Sequence, residues 1–334
     1  MAKSAKPLVL CQPGTVGALA AEILTHQAGR LETWAKRVLD ATDPEPLHQL
    51  RVSLRRVRAA LQLFDLVVQI PKGGRVAALK AIGRPLGAVR DLDVSLVALA
   101  EAKNLNLTPR ERSHLAHVCE HLQQQRRPAA AVMHQFLAGS SVADYSQAWQ
   151  TWGITPRFTD LGDWPLAYAL PHLLRRAVGD LALHPGWQPG RIPYPQTCPE
   201  DVTLALLHGL RRQCKWTRYQ LDLARPHYSP ALADQVADLA RLQDTLGQLQ
   251  DGQVLRHLLR KQGHLSMKQD LPTLRHHLDD QRESLWQQWL AQRNHYLRPA
   301  GRHPLLDSIP QGITTGVLEL QDNPGAESTP STSV

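Results

Sequence analysis

The sequence predicts an all-α fold assembled from two tandem copies of a four-helix unit. Three observations carry that expectation. Hydrophobic residues make up 43% of the 334-residue chain while aromatics reach only 5%, too few for a β-sandwich or barrel. The common residues are Leu, Ala, Arg and Gln, a helix-forming vocabulary. Finally, the chain repeats itself at one fixed offset, as tandem helical units do.

The repeat is read directly from the residues. His48, Arg51, Arg55, Arg58 and Leu61 recur 160 positions later as His208, Arg211, Lys215, Arg218 and Leu221. The register persists downstream, where Val76, Leu79, Leu86-Gly87, Asp91 and Val94 meet Val236, Leu239, Leu246-Gly247, Asp251 and Val254. Chance would not hold one offset across nearly fifty residues with matching chemistry.

Apolar spacing places the helices in order. In the first copy they fall near 15–39, 46–69, 74–102 and 110–138; in the second, near 164–183, 199–225, 230–262 and 270–297. Thr42-x-x-Glu45 and Thr197-x-x-Glu200 fit capping boxes ahead of the motif helices, with Pro44 and Pro199 in the first turns. Residues 139–163, with their Gly, Ser and Trp, read as a connecting loop. Prolines 185, 189, 193, 195 and 199 exclude continuous helix over 184–199. The expected division is 1–150 for the first bundle, 151–300 for the second, and a disordered tail over 301–334, where periodicity is lost.

The formal net charge is +8. Lys and Arg total 38, of which nine are Lys and 29 are Arg. Guanidinium forks suit phosphate and carboxylate, whereas ammonium acts as a point charge. Such a balance fits nucleic acid, an anionic membrane or polyphosphate. Cys11, Cys119, Cys198 and Cys214 form no C-x-x-C pair, so neither a disulfide framework nor a zinc site is expected and a reducing compartment is the default. No apolar run matches a membrane span. Leu8-Val9-Leu10, ahead of Cys11, is too short for a signal peptide. A soluble, cytoplasmic protein without a membrane partner is expected.

On a helical wheel, His48, Arg51, Arg55 and Arg58 fall within a sector of about 80°. That sector flanks the apolar stripe of Leu50, Leu54, Val57 and Leu61. His208, Arg211, Lys215 and Arg218 repeat it beside Leu207, Leu210, Cys214 and Leu221. A solvated face normally lies opposite the core and mixes acids with bases. Neither stripe here contains a carboxylate. Stacked cations repel, so an anion that neutralises them would recover lost stability, which points to a binding face.

His48-x-x-Arg51-Val52-x-x-Arg55-Arg56-x-Arg58, followed by Leu86-Gly87-x-x-Arg90-Asp91-x-Asp93-Val94, resembles the CHAD family, the conserved histidine α-helical domain. His208-x-x-Arg211, Lys215-x-x-Arg218-Tyr219 and Leu246-Gly247-x-x-Gln250-Asp251 resemble its second half. The likeness spans roughly 15–297. It implies two four-helix bundles related by a pseudo-twofold axis around a basic central channel, with inorganic polyphosphate as partner and no catalytic reaction. The expected polyphosphate-binding residues are His48, Arg51, Arg55, Arg56, Arg58, Lys80, Arg84 and Arg90 in the first copy. In the second they are His208, Arg211, Arg212, Lys215 and Arg218. His48 and His208 fit two roles, positioning neighbouring helices or touching phosphate. Lys80 and Arg84 suit a channel wall or solvent equally. Arg212 stands where the family more often has an apolar residue. Asp91 and Asp251 read as ion-pairing residues, and Trp149, Trp152, Trp164, Trp286 and Trp289 as packing.

No cofactor or metal is expected. The chain lacks the E-x-E-x-K signature of triphosphate-tunnel enzymes, a G-x-x-x-x-G-K-[ST] loop, H-E-x-x-H and G-x-S-x-G. Single-stranded nucleic acid or another polyanion is the alternative partner, although no nucleic-acid-binding signature is evident, and a polyphosphate-processing enzyme is the less favoured reading. Association with polyphosphate granules follows from the resemblance, for targeting, storage or regulation.

Overall fold

The computed structural model describes residues 14–40, 45–187, 202–228, 230–262, 264–298, 307 and 309. Among these the chain is helical, with no strand and two isolated bridges. The helices are α1 (Val16–Asp40), α2 (Glu45–Leu63), α3 (Val76–Lys103), α4 (Pro109–Ala138), α5 (Ser141–Ile154), α6 (Leu166–Ala182), α7 (Val202–Ala224), α8 (Pro230–Gln262) and α9 (Pro272–Leu297). Both proposed caps of the motif helices depend on residues outside the described ones, at 41–44 and 188–201. No helix among the described residues is long and apolar enough to cross a membrane.

Two expectations about the helices fail where tertiary contacts intervene. Residues 139–163 are not a loop, because 141–154 form α5. Val142, Tyr145, Trp149 and Trp152 return at helical spacing and are all buried. The Trp149 ring lies against Gly74, where a β-carbon would clash with the indole. Trp149 and Trp152 meet edge to face at 5.1 Å. The motif helix α2 stops at Leu63 rather than continuing to 69. The chain turns over 65–67, and β-branched Val68 bridges to Phe158 in the segment before α6: Thr159 N donates to Val67 O at 2.9 Å, and Gln69 N to Arg157 O at 2.9 Å.

Packing follows the chain. α1 lies against α2 and α5, α6 against α7, and α7 against α8. α3 and α4 form one helical hairpin, α8 and α9 another. The two copies meet where α2 packs on α7 and again where α3 approaches α8. The main core is continuous across both copies, running from Val16, Leu24 and Leu50 to Leu210, Leu246 and Trp286. A second core joins the hairpin tips, with Leu99, Leu115 and Leu122 from one copy and Leu255, Leu259 and Leu274 from the other. Of the tail beyond 301, Asp307 and Ile309 are described, and Ile309 is buried in the main core. The expectation of a tail free of structure fails at that residue.

At those tips Glu111 closes two helix starts. Its Oε2 accepts from Thr108 N and Oγ1, both at 2.9 Å, completing a capping box on α4. Its Oε1 accepts from Thr273 N at 2.8 Å and Leu274 N at 3.2 Å, the exposed donors of α9. Burial alone would raise this carboxyl's pKa, but the four hydrogen bonds outweigh it and hold the pKa below the ordinary value.

Candidate anion-binding site between the motif helices

The helical periodicity that sets the cationic stripes also turns them towards one another. Arg51, Arg55 and Arg58 of α2, Lys80 of α3 and Lys215 of α7 line a single cavity of about 250 Å³. Leu54, Val76, Leu79 and Gly83 form its apolar wall, and Trp216 closes it from the second copy. Arg58 lies over the Trp216 ring at 4.8 Å, with the Lys215 ammonium 5.6 Å from the same ring. Aromatic faces attract such cations by about 0.5–2 kcal/mol.

Close approach explains the Leu-Gly pair of the second copy. The Arg211 guanidinium lies flat on Gly247, where a β-carbon would sit 3.0 Å from its Nη2. Arg51 also reaches Gly87, but there a β-carbon would meet only its Nη1, at an ordinary 3.5 Å. Glycine at 247 leaves room for Arg211 to cross from the motif helix onto the next one.

The electrostatics are one-sided. Burial, then the charges of Arg55, Arg211, Arg51 and Arg212, push the Lys215 ammonium down to about 8. Burial also lowers Arg51, and Arg55 and Arg90 act in the same direction against Asp91. Arg51 Nε is buried without a hydrogen-bond partner. His208 is lowered by desolvation and by Arg212, Arg211 and Lys215, although Gln250 hydrogen-bonds it. Of the predicted site residues only Arg56 forms an ion pair among the described residues, with Asp222 across the α2–α7 contact at 3.5 Å.

The predicted set therefore separates. Arg51, Arg55, Arg58, Lys80 and Lys215 share the cavity. Arg90, Arg211 and Arg212 act on it through space. Arg56 is tied to Asp222, and Arg218 donates to Gln243 Oε1 at 3.1 Å while lying over buried Tyr219. Arg84 is exposed and does not line the cavity, nor do His48 and His208. Asp91 and Asp251, expected to pair, have no cation within 4 Å among the described residues. Trp164, expected to pack, is exposed, whereas Trp149, Trp152, Trp286 and Trp289 are buried. The residue that sequence reasoning missed is Trp216. Its signal was its place on the motif helix between Lys215 and Arg218, at the register of Arg56 in the first copy.

With that geometry in view, comparison with known proteins defines the class. The sequence profile of the CHAD domain matches residues 22–260, so the chain belongs to the CHAD-domain family. Two solved structures share its fold. A CHAD domain from the plant Ricinus communis is 23% identical, with a TM-score of 0.54, covering 90% of this chain and 95% of that one. PptA from Streptomyces chartreusis is 16% identical, with a TM-score of 0.59, covering 83% of this chain and 99% of that one. No curated protein matches the sequence.

Proposed function

We propose that this protein binds inorganic polyphosphate, with the α2–α7 cavity as the centre of a basic channel between its two related halves. The observation that carries the reading is the shared cavity: four cations of the first copy and one of the second line it without a carboxylate among them. Arg51, Arg55, Arg58 and Lys215 are half-buried and Lys80 is exposed, and partly desolvated like charges that face one another cost stability unless an anion answers them. A chain of phosphates would supply the missing partner to both copies at once. Family membership points the same way. The reading is one of binding rather than catalysis, since no acid or nucleophile lines the cavity to act on a phosphoryl group. Granule association in cells follows from the same reading.

The test is a competition measured at several salt concentrations. Polyphosphate should displace labelled single-stranded DNA at equal charge, and the reverse exchange should be weak. Affinity should fall with salt, by a log–log slope of about 0.7–0.9 per neutralised phosphate as for nucleic acids. DNA that displaces polyphosphate, or an affinity indifferent to salt, overturns the proposal.

A further inference from the structure

A second cationic cavity lies elsewhere, between α8 and α9, with a volume of about 630 Å³. It shares no residue with the cavity between the motif helices. Gly247 marks the side of α8 that Arg211 covers. Gly252 and Arg256, which line the second cavity, sit about 140° and 180° around the helix from it. The second cavity therefore opens on the side of α8 away from Arg211.

Comparison of the copies shows how the space arises. Gly252, Gln253 and Arg256 occupy the register of Leu92, Asp93 and Leu96. In the first copy Leu92 and Leu96 pack against the tip core, and Asp93 pairs with Arg126 across the hairpin. In the second copy one leucine has become Gly252, where a β-carbon would meet nothing within 4 Å. The other has become an arginine, and the carboxylate an amide. Apolar packing has been exchanged for an open, charged space, a change that stability alone does not favour.

Five cations line it: Arg256, Arg260, Lys268, Arg275 and Arg282. The lining carboxylate is Asp279. Arg256, Arg275 and Arg282 crowd it at 2.8, 3.3 and 3.7 Å. One carboxylate against five cations leaves an excess of four positive charges. One guanidinium nitrogen, Arg282 Nε, is buried without a hydrogen-bond partner. Gln253 and Gln281 add amide groups, and Leu249 and Leu285 an apolar floor. That volume falls within the range of about 300–1,000 Å³ typical of small-molecule sites.

We infer that the α8–α9 cavity is a binding site for a compact triphosphate group, separate from the channel between the copies. A triphosphate carries about four negative charges near neutral pH, which would offset the excess, and forked guanidiniums match its oxygens. The group could arrive as inorganic triphosphate or as a nucleoside triphosphate, and the experiment has an arm for each.

The test is calorimetric titration of the full chain with inorganic triphosphate and, separately, with adenosine triphosphate. Four proteins are compared: the parent, Arg51→Gln with Arg55→Gln, Gly252→Leu, and Arg256→Leu with Arg282→Gln. The channel variant should retain a triphosphate site of nearly parental affinity. The two cavity variants should lose at least about tenfold at that site, as expected when one or two charge-assisted contacts vanish. They should still bind long-chain polyphosphate through the channel. Tighter binding of adenosine triphosphate assigns the site to an organic ester; tighter binding of the inorganic ion assigns it to free triphosphate. Arg275→Gln, at a side chain 45% exposed, provides the same readout if Gly252→Leu fails to fold. Triphosphate binding that disappears with the Arg51 and Arg55 charges, or that persists in folded cavity variants, overturns the inference, as does absence of binding to the parent. Failure of the channel reading would show instead as long-chain binding indifferent to Arg51 and Arg55.

Discussion

At the base of the two hairpins, α2 and α7 bring cations into a cavity lined by no carboxylate; at the tips, α4 and α9 share one carboxylate among four donors. Both places join the same two copies. Lys215 and Arg51 are pushed towards their neutral forms by burial and by neighbouring cations. Glu111 is held in its charged form by hydrogen bonds that outweigh its burial. The tips and the continuous core hold the copies together, so the base is free to carry charge that destabilises it. A site that must attract a partner can stay unsatisfied when the fold is secured elsewhere.

The sharpest way to break this contrast is to discharge the base. Arg51→Gln with Arg55→Gln, or Arg211→Gln with Lys215→Gln, should weaken polyphosphate binding by about a hundredfold to ten-thousandfold, since charge-assisted contacts contribute about 1.5–3 kcal/mol each. The melting temperature of the free protein should hold or rise, because repulsion is relieved, and its increase on adding polyphosphate should shrink. Unfolding of either variant would make the stripes structural.

The opposite response is expected at the tips. Glu111→Gln should lower stability by about 1–3 kcal/mol, the cost of degrading hydrogen bonds to a buried charged group, while affinity for polyphosphate stays level. The sign with pH follows from the lowered pKa. This stabilisation is complete above the unfolded carboxyl value of about 4.3 and is lost as pH falls through the folded one. Denaturant melts of parent and variant should therefore converge in acid. A variant that keeps full stability at neutral pH would remove Glu111 from the account.

Smaller effects sharpen the base further. Lys215, held near 8 in the free protein, should recover its proton when an anion binds. Affinity should be full below about pH 8 and decline above it by at most about tenfold per pH unit. Free-protein stability should move the other way and rise from about pH 8 towards 10.4, where the unfolded lysine finally loses its proton. Lys215→Arg should flatten both trends in paired titrations at pH 7 and 9; a trend unchanged in that variant belongs to another group. The least change is expected from Gly247→Ala. Its methyl would meet Arg211 Nη2 at 3.0 Å, but a flexible guanidinium can yield, so an affinity loss of about two- to fivefold should suffice, well under 1.4 kcal/mol.

Much of the fold was legible in the sequence because helical spacing and a repeat are linear signals. α8 begins and ends where its apolar residues predict, and most other helices start or stop within a few residues of expectation. The failures came where tertiary contacts decide. Nothing local reveals that Val67 and Val68 leave the helix to pair with residues ninety positions away. α5 hid behind Gly139-Ser140 and a tryptophan content that looked irregular. At the site, charge and wheel angle were enough to pick out Arg51, Arg55, Arg58 and Lys215. They could not show that Trp216 lies beneath Arg58, or that Arg56 spends its charge on Asp222, because both contacts cross between the copies.

The shared carboxylate at the tips also has a bearing on the order in which the chain matures. α9 has no side-chain cap of its own, since Leu271 precedes it. Its first donors depend on Glu111, which is synthesised 162 residues before Thr273. During translation the early hairpin can close on its own capping box and wait, with one carboxylate oxygen still unclaimed. The late hairpin cannot finish its first turn until it finds that oxygen. Long-range closures of this kind are slow steps. Protection of the Thr273 and Leu274 amides should therefore appear late in pulse-labelled hydrogen exchange, after that of Glu111. Simultaneous protection would mean that the two halves assemble as one.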